Sequence, residues 1–272
     1  MSLDRRLTPF SGRVAHVSLR GQVAAEAFVE GEPAALAVPL ADLCAAPGGA
    51  RDRQLLLGAA VTVLERRDGW AFVQAVADGY CGWLEAVALG PSESSTHVVA
   101  AATHLYPAPD LKRRETGRLS LNARVTVTGA EGAFLSTPQG WLPAVHLRPL
   151  GAPEADPVAV AERLIGTPYL WGGNSRDGID CSGLVQAALW ACGRDCPGDS
   201  DLQAALGRPL AEGERPARGD LAFWPGHVGW MADAETLIHA NAHHMAVAVE
   251  PLAVAAERIA AAGLGAPRLR RL

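Results

Sequence analysis

Cys181 is the residue of this chain whose setting most suggests covalent chemistry. After it, Leu184, Val185, Ala188, Leu189 and Cys192 recur at helical spacing until Gly193. That pattern predicts an amphipathic helix with a glycine stop, and it puts Cys181 where the helix begins. Unpaired backbone N–H groups and the positive end of the helix dipole favour a thiolate there, the nucleophilic form of sulfur. A nucleophile also needs a proton acceptor and a group that orients the acceptor. His227 lies in the run Gly219 to Trp230, which reads as two strands joined by the Pro225-Gly226 turn, and His239 lies in Thr236-Leu237-Ile238-His239-Ala240, a further short strand. Two histidines on neighbouring strands facing a helix that starts with cysteine would supply nucleophile, base and orienting partner.

These elements need a domain to hold them. Gly151-Ala152-Pro153-Glu154-Ala155-Asp156-Pro157 reads as a linker, because its prolines and glycine oppose both helix and sheet. A helix is expected from Val158 to Ile165, with Val160, Leu164 and Ile165 as its apolar stripe and Gly166 as its end. Upstream, two stretches resemble each other: Asp68 to Val73 leading to Gly82-Trp83-Leu84, and Glu131 to Leu135 leading to Gly140-Trp141-Leu142. Strand-like runs precede each, Ala60 to Leu64 and Arg124 to Val127. Short strands with Gly-containing turns, repeated over about sixty residues, suggest two small β-barrels. The segment before about residue 45 is Ala-rich and loosely periodic, a lead-in packed on the first barrel.

The 272 residues, 49% hydrophobic and 19% charged, fit a globular chain of two or three domains. No run approaches the roughly 18 apolar residues of a membrane helix. A net charge of −5 gives no general attraction to nucleic acid, and the basic run Arg268 to Arg271 is too short to change that. No secretory signal is visible behind Met1 to Pro9, which makes the cytoplasm the expected location. The five cysteines, Cys44, Cys81, Cys181, Cys192 and Cys196, lack the regular spacing of a disulfide framework and are expected to be free thiols.

The upstream repeats resemble bacterial SH3-like domains, where a late tryptophan packs the barrel and often lines a peptide groove; Trp83 and Trp141 suit either role. Residues 158 to about 256 resemble the NlpC-type cell-wall cysteine peptidases. That likeness is carried by Tyr169 ahead of the cysteine, Asp180-Cys181-Ser182-Gly183, Gly219-Asp220-Leu221 followed by His227-Val228-Gly229, and the later Ile238-His239. It implies an α+β chain: a lead-in with a first SH3-like barrel over residues 1–91, a second barrel over 92–150, and a papain-like catalytic domain over 151–272. It also implies Cys181 as nucleophile, His227 as base and then acid, His239 as orienting residue, and Tyr169 assisting the oxyanion beside the Cys181 backbone N–H.

The whole layout resembles the γ-D-glutamyl-L-diamino-acid endopeptidases that recycle cell-wall fragments. The implied substrate is a small murein peptide with a free N-terminal L-alanine, the first SH3-like domain closing one end of the cleft, with no metal or organic cofactor. By the same resemblance Asp180, Ser182 and Ser200 hold the substrate's amino end and backbone, Trp171 joins them, and Tyr80 and Asp52 are the contributions of the first barrel. A carboxylate in a partly closed pocket pairs well with an ammonium group and leaves an acylated amine unsatisfied.

Other readings stay open on residues alone. Asp180 would serve equally as the cap of the Cys181 helix, and Asp199-Ser200-Asp201 as the cap of a helix starting near Leu202. Zinc held by Cys192, Cys196, His243 and His244 is poorly spaced, and a Ser-His-Asp set built on Ser182 leaves Cys181 unexplained. A thiol acyltransferase would share the Cys-His geometry, and a non-catalytic wall-peptide-binding protein would not need it.

Overall fold

A computed structural model describes residues 3–272, which form two compact units that divide between Ala152 and Pro153.

The first unit is rich in strands. Its main feature is a seven-stranded antiparallel sheet ordered Arg51–Leu56, Leu40–Cys44, Cys81–Glu85, Trp70–Ala75, Ala60–Arg67, Glu32–Leu36, Leu89–Pro91. Alternation along Ala60–Arg67 buries Val61 and Val63 against Leu43, Val73, Tyr80 and Leu84. A register shift between Val63 and Glu65 then turns Leu64 into a second cluster with Phe72, Cys81 and Trp83. Trp83 is therefore a core residue, its ring 5.4 Å from that of Phe72. Two strands, Glu32–Leu36 and Leu40–Cys44, lie in the segment expected to be only a lead-in. Alanine and small turns hid their period.

The sheet order runs from one end strand to another, and no closed barrel forms among the described residues, unlike the pair of barrels expected. After it come three smaller sheets between residues 97 and 149, packed around Leu56, Leu57, Val99, Leu105, Leu119 and Leu142. The sequence repeat is a structural one: Cys81–Glu85 and Gly140–Pro143 are each followed by a 3-10 turn, Ala86–Ala88 and Ala144–His146. The second strand of the repeat stops at Val125 rather than Val127, where the backbone N–H of Val127 turns to the Thr96 hydroxyl.

In the second unit, α1 (Pro157–Glu162) starts at Asp156, whose side chain accepts from the Val158 N–H, with proline at the first turn. It ends three residues earlier than expected, and Leu164 is buried in the turn that follows. Helix α2 (Cys181–Ala191) begins at the cysteine, as its spacing predicts, and Gly193 follows in the left-handed region at φ 67°. Helix α3 is the single turn Ser200–Gln203, and α4 is Leu252–Ala261. A six-stranded antiparallel sheet is ordered Arg208–Pro209, Arg268–Arg271, Leu221–Trp224, His227–Met231, Thr236–Asn241, Ala246–Pro251.

Helix α2 packs on α1 and on the His227 and Thr236 strands, burying Leu184, Val185, Ala188 and Leu189 completely or nearly so. At about 1.5–3 kcal/mol for each large side chain, this burial fixes where Cys181 points. Helix α4 lies on the Thr236 and Ala246 strands, with Trp224, Met231, Leu237 and Ala255 between. No helix among the described residues is long and apolar enough to cross a membrane.

Candidate active site

Asp180 is the cap of α2. Its Oδ1 accepts from the Gly183 N–H at 2.6 Å and the Ser182 hydroxyl at 2.9 Å, and its Oδ2 accepts from the Gly172 N–H at 2.9 Å. Cys181, the next residue, is a buried free thiol. It meets the backbone N–H groups of Val228, Ser182 and Cys181 itself, all of which favour the thiolate. Burial, and after it the Asp180 charge, outweigh them and push the thiol up to about 12. Burial thus works against the thiolate that the helix end favours.

Val228 follows His227, so the strand that contacts the sulfur is the one that carries the histidine. His227 opens that strand after the Pro225-Gly226 turn, half-buried, with its Nε2 2.7 Å from Nδ1 of His239. His239 is fully buried, and its Nε2 lies 2.7 Å from Oε1 of Glu250. Arg258, from α4, donates to both Glu250 oxygens at 2.7 and 2.6 Å. The register explains this row: Leu237 lies opposite both Met231 and Glu250, so alternation puts His227, His239 and Glu250 on one face of the sheet. Burial pushes His227 down to about 3, helped by the charges of His239 and Arg258. Burial also lowers His239, although Glu250 opposes it. The Arg258 guanidinium holds Glu250 down at about 2.

Tyr169 stands between Met245, whose carbonyl accepts its N–H, and Ile179, to which it is bridged. Burial and the charges of Cys181 and Asp180 push its phenol up to about 12, so it stays a donor in electrostatic reach of the sulfur. Ser182 is buried with its hydroxyl donated to Asp180, and its carbonyl accepts from Gln203 at 2.9 Å. Ser200 is the first residue of α3, so that helix starts two residues earlier than expected. Trp171 is 70% exposed. In the first unit, Tyr80 is buried in the sheet core with the Arg53 guanidinium 5.1 Å from its ring centre, and Asp52 is bound at both oxygens by Arg5.

Glu250, Arg258 and the Val228 N–H are absent from the sequence reading. Glu250 sits in a strand of alternating alanine and valine, and nothing local marks it. The only described group of three side chains close enough to share a metal ion is His239, His244 and Glu250. Its carboxylate already holds the Arg258 cation, which opposes a second one. Cys192, Cys196, His243 and His244 form no such group among the described residues. His243 and His244 lie in the turn after the His239 strand.

Residues 166–258 match the NlpC/P60 family, and residues 43–89 match the bacterial dipeptidyl-peptidase Sh3 domain. A probable endopeptidase of Corynebacterium glutamicum is 30% identical over 167 residues, 57% of this chain and 80% of that protein. The gamma-D-glutamyl-L-lysine dipeptidyl-peptidase of Bacillus cereus is 25% identical over 236 residues, 74% of this chain and 70% of the relative. The crystal structure of an NlpC/P60 family protein from Bacillus cereus superposes with a TM-score of 0.71 at 22% identity, covering 81% of this chain and 94% of that one, a likeness of fold. The chain belongs to the NlpC/P60 family, and its amino-terminal half carries an SH3-like, strand-rich region of the bacterial dipeptidyl-peptidase kind.

Proposed function

We propose that the protein is a cysteine endopeptidase that hydrolyses the γ-D-glutamyl–diamino acid bond of peptidoglycan-derived peptides bearing a free N-terminal L-alanine. The observation that carries this reading is the buried Cys181 thiol at the start of α2, set against the N–H of Val228 next to the hydrogen-bonded His227–His239 pair. The bond chosen draws on the name of the Bacillus cereus relative.

In this scheme His227 takes the thiol proton as the sulfur attacks the γ-carbonyl of D-glutamate. The backbone N–H of Cys181 and the Tyr169 hydroxyl receive the oxyanion. His227 then protonates the departing amine of the diamino acid. Water activated by the same imidazole cleaves the thioester, regenerates the thiol and releases L-Ala-D-Glu. Asp180, already holding the helix, pairs with the substrate's ammonium group. The role is recycling of wall fragments in the cytoplasm, which cell fractionation would test.

Offering L-Ala-γ-D-Glu-diaminopimelate, and the same peptide with its amino end blocked by a muramoyl group, tests the scheme by mass of products. Cleavage of the free peptide alone, abolished in Cys181→Ala, is the expected result. An uncut free peptide would refute the assignment, and equal cutting of both would remove the free-amine requirement. An acylated product formed from an added amine would mark transfer in place of hydrolysis.

A further inference from the structure

We infer that Glu250, clamped by Arg258, is a positioning residue that fixes which nitrogen of His239, and through it which nitrogen of His227, carries the proton. This rests on the cysteine-peptidase reading above. The chain of reasoning starts at the guanidinium, which can only donate. Arg258 donates to both oxygens of Glu250, so this side chain is a carboxylate and can only accept. His239 Nε2, 2.7 Å from Oε1, must therefore carry a proton. In a fully buried neutral imidazole the other nitrogen is then bare, and His239 Nδ1 is an acceptor. His227 Nε2, 2.7 Å from that acceptor, must in turn be the donor. One nitrogen of His227 remains without a proton, and it is Nδ1.

The proton balance follows. In the scheme proposed above, the proton leaving Sγ of Cys181 adds to this bare Nδ1 of His227, and the imidazolium so formed keeps its Nε2–H on the lone pair of His239. On collapse of the tetrahedral adduct the same proton passes from Nδ1 to the departing amine. Arg258 prevents Glu250 from taking a proton itself, which would reverse the hydrogen bond to His239. Without the carboxylate, His239 is free to carry its proton on Nδ1, where it would meet the donor of His227 head-on. His244, with Nδ1 3.9 Å from Oε1 of Glu250, is the other titratable group beside this row.

Nitrogen-15 spectra of the full chain labelled in histidine test the arrangement without any substrate. At neutral pH, His227 and His239 should each show a protonated Nε2 and a bare Nδ1. A proton on Nδ1 of His227, or a doubly protonated His239, would overturn the inference. Glu250→Gln, which keeps the shape and removes the charge, should shift protons onto Nδ1 of His239 and lower kcat about tenfold or more, with KM nearly unchanged. Unchanged spectra and kcat in that variant would also overturn it. Failure of the unaltered protein to cut any wall peptide would instead refute the peptidase reading and leave the spectra to decide this one.

Discussion

The Asp180 carboxylate accepts the backbone N–H of Gly183 at 2.6 Å, and that contact acts on Cys181 in two opposed ways. It secures the first turn of α2, whose free N–H groups favour a thiolate. It also fixes a negative charge beside the sulfur, which after burial raises the pKa of the thiol. On the proposed scheme the thiol is therefore held in position and activated only when its proton leaves for the imidazole.

Replacing Asp180 separates the two effects. Asp180→Asn retains a capping oxygen and removes the charge, so the thiol should ionise at lower pH and iodoacetamide should alkylate it about tenfold faster for each unit of that fall. Asp180→Ala loses the cap as well and should cost about 1 kcal/mol in urea denaturation. Equal alkylation rates in the parent and Asp180→Asn would show that the carboxylate does not control the sulfur.

Acid should destabilise the fold through its histidines. The folded pKa of His227, about 3, lies below its unfolded value near 6.5, so in the window between them the unfolded chain binds a proton that the folded one refuses. The stability is fully present above about 6.5 and is lost as pH falls toward 3; His239 adds to it in the same direction. Denaturation midpoints should drop across that window, and His227→Gln should flatten the slope.

Two glycines set the approach of the active-site elements. A Cβ on Gly183 would stand 2.4 Å from the carbonyl oxygen of Gly173, and one on Gly229 would stand 2.9 Å from Cβ of His239 and 2.8 Å from Leu237 Cδ1. Gly183→Ala should displace the start of α2, and Gly229→Ala should push the His239 strand outward. Each is expected to cost about 1–3 kcal/mol and to lower kcat; full activity with parental stability would contradict these close approaches.

In the first unit, Arg53 and Asp78 form an ion pair with side chains 4% and 1% exposed. Asp78→Ala would leave a buried guanidinium without its counter-charge, at a cost of about 3–5 kcal/mol. Thermal denaturation of the full chain would measure it, and a change under 1 kcal/mol would mean that the arginine finds water instead.

Cys181, the start of α2 and the two histidine strands are legible because each has a local signature: a period broken by Gly193, or a Pro-Gly turn between apolar runs. Glu250 and Arg258 are silent because their meaning lies in register. Only pairing Leu237 with both Met231 and Glu250 brings that carboxylate onto the face of His239. The ionisation of Cys181 is only half legible for a related reason. The helix end can be inferred from spacing, whereas burial depends on everything packed around it. Ala-rich strands such as Glu32–Leu36 escaped because alanine marks neither period.

The strand Arg268–Arg271 enters the six-stranded sheet between Arg208–Pro209 and Leu221–Trp224, although it follows every other strand in the chain. During synthesis the sheet behind the site must therefore wait with a gap in it until residues 268–271 leave the ribosome. A nascent chain would carry its cysteine and both histidines long before it could hold them in working order.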